Sequence, residues 1–300
     1  MITQPPYLKK GDKIAIVCPA KKLPSSIDKA IKILETWGLE VIIGETVNAS
    51  HHQFAGDDSL RAADLQRFLD DPEIKAIIAG RGGYGTIRII DELDFNKFKA
   101  NPKWIVGFSD ITVLISHILA TLNIQSIHGQ MPYTFADATP ESLASMHGAL
   151  FGEQLHYEYT PTFPGRTGKT KGVLIGGNLT LMVMMQGSAS EIDYTDKILF
   201  IEDVGEHEYA IDRMMRMLKR AGKLDKLKGL IVGAFNEQPP ESIPFGASPE
   251  QVIWDLVKEY DYPVCFNFPV GHIDDNRALV VGKDIKLINQ GDKILVAQSC

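Results

Sequence analysis

Cysteine is scarce in this 300-residue sequence: Cys18, Cys265 and Cys300 are the only three. That number cannot build a disulfide framework, and the spacing fits no metal site. Positive charge is short as well, with 31 Lys and Arg against 38 Asp and Glu, a net charge of -7. A surface that neutralises phosphates needs the opposite balance, so nucleic acid is excluded as a partner. A small anionic substrate needs only a local positive pocket and stays open. No apolar run is long enough to cross a bilayer, so no membrane partner is expected. The first residues, Met1 to Pro6, lack a basic stretch followed by an apolar one, so no signal peptide is read there. With so few cysteines, a reducing cytoplasm is the expected compartment. His-Glu-x-x-His is absent, which argues against a zinc peptidase. What remains, 44% hydrophobic and 23% charged, is the balance of a soluble globular chain of one large or two ordinary domains.

The first half alternates short apolar strands with helical patterns. Strands are expected at 13–17, 40–43, 75–79 and 104–108. Helices are expected from Ser25 or Ser26 to Trp37, at 59–69, at 86–93 and at 111–122. Buried strands alternating with helices mean a parallel sheet covered on both faces. Its functional loops belong at the carboxyl ends of the strands. At 159–171 Pro, Gly and Thr dominate and periodicity vanishes. This stretch reads as a linker between a domain at 1–158 and one at 172–300. The second half has short strands near Val173, Ile198, Ile231, Val264, Leu279, Ile285 and Ile294, with helices at 179–185, 209–220 and 248–260. The fold class is α/β, a parallel-sheet domain followed by a smaller strand-rich one.

Ser109 follows an apolar strand and precedes an apolar helix, with Gly107 two residues earlier. This is the layout of a nucleophile elbow, in which a serine hydroxyl is exposed on a sharp turn. The backbone N–H of Asp110 could then face a developing oxyanion. The match to G-x-S-x-G is partial, since position 111 is Ile, and Ser109 also reads as an ordinary helix N-cap.

Gly80-Arg81-Gly82-Gly83-Tyr84-Gly85 closes the third strand and satisfies G-x-G-x-x-G. Such a loop means close backbone approach or positive φ. A dinucleotide site is one reading, but that fingerprint normally sits on the first strand and wants an acidic residue some 20 positions on. The other readings are an oxyanion loop facing Ser109 and a plain tight turn. The string 165–170 resembles a P-loop but has Phe163 where the first glycine belongs, and a strand rather than a helix follows it.

Of eight histidines, His51 and His52 read as solvated and His117 as a core residue. His128 follows a short strand and could line a cleft. His272 sits on a loop after the strand near Val264, where a side chain can be presented. Glu202 stands at a strand's carboxyl end, amid Asp203, Glu206 and Glu208. It reads either as part of a solvated acidic loop or as the acceptor for a histidine Nδ1 proton. Spacing alone does not bring Ser109, Glu202 and His272 together.

Several segments in order resemble the LD-carboxypeptidase family, which includes muramoyl-tetrapeptide carboxypeptidases and microcin C self-immunity proteins. They are Arg61-Ala62-Ala63-Asp64-Leu65, the Arg81–Gly85 loop, Gly107 to Thr112, His128-Gly129, Gly176 to Leu179, Ile201 to Glu206, Ile211-Asp212-Arg213 and Gly271-His272. The resemblance implies a Rossmann-like N-terminal domain, a smaller β-rich C-terminal domain, a site between them and a homodimer. It implies a nucleophilic Ser109, a general base His272 and an orienting Glu202, with oxyanion N–H donors from Asp110 and Gly83. The expected substrate is a small muropeptide that loses a terminal D-alanine, with no metal or organic cofactor. Arg81 and Arg277 are candidate partners for its carboxylate, with Tyr84 and His128 as further substrate contacts. A peptidyl-nucleotide substrate of the microcin type and a nicotinamide-dependent oxidoreductase are the alternatives. The family usually has Pro after His-Gly; here it is Gln130. The chain length suits the peptidoglycan-recycling members.

Overall fold

The computed structural model describes residues 2–240 and 242–299. Met1 and Cys300, both read above, lie outside them. The first half lays down β1 (Lys13–Val17), α1 (Asp28–Thr36), β2 (Glu40–Ile43), α2 (Asp58–Asp70), β3 (Ile74–Ala79), α3 (Asn96–Ala100), β4 (Trp104–Gly107), α4 (Thr112–Leu122), β5 (Ser126–His128) and α5 (Pro140–Phe151). The second half adds β6 (Leu155–Tyr159), β7 (Gly168–Asn178), α6 (Leu179–Met184), β8 (Lys197–Val204), α7 (Glu208–Arg220), β9 (Gly229–Asn236), α8 (Pro249–Val257), β10 (Val264–Cys265), β11 (Leu279–Val281), β12 (Asp284–Asn289) and β13 (Ile294–Gln298). The protein is α/β, with two sheets.

The first sheet has the order β11-β5-β4-β3-β1-β2 and is parallel except at β11. Its strands are apolar on both faces: Trp104–Gly107 is buried throughout, as are Ile14 to Val17. Helices on both sides require that pattern. The second sheet, β10-β9-β8-β7-β12-β13-β6, is parallel from β10 to β7 and antiparallel beyond. The antiparallel strand β6 alternates buried Leu155 and Tyr157 with exposed His156 and Glu158. One face of an antiparallel sheet can meet water, and the alternation follows from it.

The composition break at 159–171 does not coincide with the change of sheet. β6 precedes it yet pairs with β13, and β7 starts inside it at Gly168. β11 returns from the second half to pair with β5. Backbone pairing needs no hydrophobic periodicity, so a Gly- and Thr-rich stretch can enter a strand. The helix expected at 86–93 is instead two 3₁₀ turns, Thr86–Arg88 and Ile90–Glu92. The run is short and β-branched at Thr86, Ile87, Ile89 and Ile90, which disfavours an α-helix. Helices α3 and α5 were not expected. Yet α5 carries a start signal: the Thr139 hydroxyl accepts from the Ser142 N–H at 3.1 Å, with Pro140 next to it.

Cys18 and Cys265 are free and buried. Among the described residues no helix is long and apolar enough to cross a membrane.

Candidate active site

The turns after β3 and β4 lie against each other, and His128 at the end of β5 packs on Phe200 of β8. Ser109 opens the turn after β4 with φ 59°. A non-glycine residue in that left-handed region is strained by on the order of 1–3 kcal/mol and persists only where its surroundings enforce it. The 3₁₀ turn Ser109–Ile111 leads into α4, so the Asp110 N–H lies at a helix start.

The glycine loop lies directly against this turn. Gly82 is so close that a Cβ there would stand 3.2 Å from Ser109 Oγ and 3.3 Å from the Asp110 nitrogen. Gly83 follows at φ 105°. Asp110 ties the two segments together, its carboxylate accepting the Thr86 N–H at 2.8 Å. Burial raises the Asp110 carboxyl above its ordinary value, partly offset by hydrogen bonds from Thr86 and Gly85 and by the charge of Arg61. Arg61 on α2 is fully buried and donates to the carbonyls of Pro19 and Gly85, the latter at 2.9 Å, while pairing with Asp58. A guanidinium with five donors in a fixed fork can brace two loops at once. The glycine loop runs into 3₁₀ turns, so the helix N-terminus that would hold a pyrophosphate is not there.

Glu202 lies inside β8, which continues to Val204 rather than ending at Ile201. The register with β9 shifts between Ile201 and Asp203, opposite Gly233 and Ala234. Such irregularities re-aim side chains beside sites. Glu202 is fully buried, so the solvated acidic loop is corrected to an interior carboxylate. The loop bearing His272 lines up along β9, through Phe268 N–H to the Val232 carbonyl (3.1 Å) and Ala234 N–H to the Val270 carbonyl (2.9 Å). Gly271, at φ 118°, then passes over the carboxylate; a Cβ there would sit 2.8 Å from Glu202 Oε2. His272 follows and its Nδ1 meets Glu202 Oε2 at 2.7 Å. The Asn236 side chain holds the His272 carbonyl at 2.8 Å. Burial pulls the His272 imidazole down, but the hydrogen bond and charge of Glu202, with Asp203 and Glu237 beyond, outweigh it and leave it above 6.5. Burial and the adjacent Glu202 charge push Asp203 up to about 6, against hydrogen bonds from Thr180 and Val204.

The two halves of the site meet across Phe108, the residue before Ser109. Its ring lies 4.9 Å from the His272 imidazole, edge to face. A cleft of about 170 Å³ opens there, lined by Phe108, Gln130, Thr134, Asp137, His272 and Asp274. A serine on a strained turn, backbone donors beside it and an imidazole held by a buried carboxylate can together perform acyl transfer.

The other expected contacts are placed differently. His128, expected to line the cleft, is 1% exposed and packs on Phe108 and Phe200 at 5.8 and 5.1 Å. It closes β5 beside β4 and so points into the layer between the sheets. Arg277, expected near the substrate carboxylate, is chelated by Asp275, with N–O distances of 3.0 to 3.1 Å. Arg81 donates to the Lys22 carbonyl at 2.9 Å and lies 4.9 Å over the Tyr133 ring. Tyr84 is exposed and 6.1 Å from Phe54. Sequence reasoning gave no role to Gly271, Arg61 or Asn276, whose Oδ1 accepts the Gly271 N–H at 2.9 Å; a glycine preceding the histidine and an arginine within an apolar helix face were the available signals for the first two. Among the described residues no three His, Cys, Asp or Glu side chains gather to hold a metal ion.

Comparison with known proteins supplies the class. A probable murein peptide carboxypeptidase of Bacillus subtilis is 35% identical over 99% of this chain and 94% of its own length. A murein tetrapeptide carboxypeptidase of Pseudomonas aeruginosa is 29% identical over 90% of this chain and 91% of its own. The crystal structure of muramoyltetrapeptide carboxypeptidase from Oxalobacter formigenes superposes with a TM-score of 0.86 at 30% identity, covering 96% of this chain and 99% of that one. The microcin C7 self-immunity protein MccF shares the fold, with a TM-score of 0.87 at 21% identity, over 100% of this chain and 99% of that one. The chain is thus a hydrolase of the carboxypeptidase class. It belongs to the LD-carboxypeptidase family, whose N-terminal domain matches residues 14–129 and whose C-terminal domain matches 171–287.

Proposed function

We propose that this enzyme is a serine LD-carboxypeptidase that removes the terminal D-alanine from muramoyl tetrapeptides in peptidoglycan recycling. The observation that carries the reading is the 2.7 Å pairing of His272 with the buried Glu202, reaching a cleft walled by the residue before Ser109. His272 takes the Ser109 proton as the hydroxyl attacks the scissile carbonyl. Glu202 holds the imidazole in the tautomer whose Nε2 is free to accept. The backbone N–H groups of Asp110 and Gly83 receive the oxyanion, each worth roughly 3–4 kcal/mol of barrier. His272 then gives its proton to the leaving amine, and water attacks the acyl-enzyme with His272 again as base. Arg81 is the cation proposed for the substrate's terminal carboxylate, with Tyr84 beside it on the same loop. The family resemblance extends the reading to a cytoplasmic homodimer.

The test is D-alanine release from a muramoyl tetrapeptide by wild type and by Ser109→Ala. Release by wild type alone supports the reading. Equal release by both removes Ser109 from its role, and cleavage of a peptidyl nucleotide in place of the muropeptide would favour the microcin-type alternative.

A further inference from the structure

Only one oxygen of Glu202 has a partner. Oε2 meets His272, whereas Oε1 is buried without a hydrogen-bond donor among the described residues. Buried carboxylate oxygens are normally satisfied, so such an atom calls for an explanation. Two more buried polar atoms lack partners among the described residues in the same layer, His128 Nε2 and Asn276 Nδ2. His128 is within electrostatic reach of Glu202, His272 and the Asn276 amide. Its ring also packs edge-on against Phe200, which precedes Glu202 by two residues and so shares its face of β8. Asn276 is itself anchored, its Oδ1 accepting the Gly271 N–H at 2.9 Å. One acceptor and two potential donors thus converge from β5, β8 and the loop after His272.

The chemistry of the three atoms is complementary. Burial first of all, with the positive charge of His272, drives the His128 imidazole down to about 4, although Glu202 and Asn276 pull the other way. His128 is therefore a neutral ring with one N–H to give. A neutral donor satisfies the carboxylate without cancelling the charge that His272 needs. A cation in its place would compete with His272 for Glu202.

We propose that His128 is a positioning residue for the triad: its Nε2–H reaches Glu202 Oε1 across one buried water shared with Asn276 Nδ2, and fixes the carboxylate that orients His272. This rests on the reading of Glu202 and His272 given above. It also places the requirement for histidine at the end of β5 in the first sheet, so that the two sheets jointly build the base.

The test uses ¹⁵N-labelled imidazoles in the full chain. In wild type, His128 is expected as the Nε2–H tautomer and uncharged at neutral pH. Finding Nε2 unprotonated would overturn the proposal without any variant. In His128→Phe the carboxylate has lost a donor and offers more charge to His272. The His272 pKa is then expected to rise by roughly half a unit, about threefold in proton affinity. With it kcat falls about tenfold while KM holds, and His128→Gln, which keeps an N–H, recovers most of both. A fall in thermal stability alone, with the His272 titration and kcat unmoved, would overturn it, as would a Gln variant no better than Phe. The titration needs no turnover. Failure of the peptidase reading would appear separately, as Ser109→Ala retaining activity.

Discussion

Gly82 and Ser109 are in contact: a Cβ on Gly82 would lie 3.0 Å from the serine Cβ and 3.2 Å from its hydroxyl. Gly82 is not among the positive-φ glycines, so its backbone would accept alanine. What stands in the way of the methyl is the Ser109 side chain. Gly82→Ala is expected to leave the melting temperature nearly unchanged and to cut kcat by about a hundredfold, because a misplacement of about 1 Å at a reacting atom costs that much. Steady-state kinetics beside a thermal melt would decide it. A large loss of stability with kcat preserved would mean that Gly82 serves only the turn.

Glu202→Gln keeps the shape of the carboxylate but replaces an acceptor with an amide. The amide can turn its NH₂ towards Nδ1 and favour the wrong tautomer of His272. By analogy with other triads, kcat is expected to fall roughly 10³- to 10⁴-fold with KM little changed. The variant also removes the largest of the influences that raise the His272 pKa, leaving only Asp203 and Glu237, so the imidazole should titrate lower than in wild type. An activity loss below tenfold would demote Glu202 to a structural residue.

The pH dependence follows from the same pair. A general base must be neutral, so kcat/KM should rise with pH as His272 loses its proton. Since its folded pKa is raised above 6.5, the half-point of that limb is expected above 6.5. The shift also bears on stability. The folded chain holds this proton more tightly than the unfolded one. The contribution is therefore fully present below pH 6.5 and is lost as pH rises through the folded value. The gap in melting temperature between wild type and Glu202→Gln should be widest in mildly acidic buffer and close towards alkaline pH. A gap that widened with pH would reverse the sign and contradict the ion pair.

The turn at Ser109 and the glycine loop beside it were legible because strand-end geometry is local: an apolar strand, a turn residue and an apolar helix stand consecutively in the chain. Glu202 and His272 were legible only as residue types at strand ends. Their meeting depends on Gly233 and Gly271, two glycines that let the 268–272 loop lie along β9 and over the carboxylate, and nothing in their spacing announces that. Family resemblance, not periodicity, joined the three. His128 was misread as a cleft residue because a histidine after a short strand looks alike whether its layer is open or closed; the second sheet closes it. The pairing of β6 with β13 across the expected linker, and of β11 with β5 across the halves of the chain, escaped for a similar reason. Pairing partners in a sheet are set by tertiary packing, which the alternation within one strand does not encode.

Gln130 occupies the position where the family usually has proline, and its side chain has a task that proline could not perform. Its Nε2 donates to the Asp274 carbonyl at 3.0 Å, and its Oε1 accepts from the Thr134 hydroxyl. Thr139 adds its own N–H to the same carbonyl at 3.1 Å. The loop just after His272 is thereby pinned to the first sheet's side of the cleft that Gln130 helps to line. Neither bond touches His272 Nδ1 or Ser109, so the substitution Gln130→Ala should spare the chemical step. It removes one of two hydrogen bonds to a partly buried carbonyl, worth about 1 kcal/mol, and loosens a wall of the cleft. KM is expected to rise about fivefold, the equivalent of that energy, with kcat within about twofold of wild type. If kcat fell and KM stayed fixed, the 272–274 loop would be positioning His272 for the reaction rather than shaping the substrate's pocket.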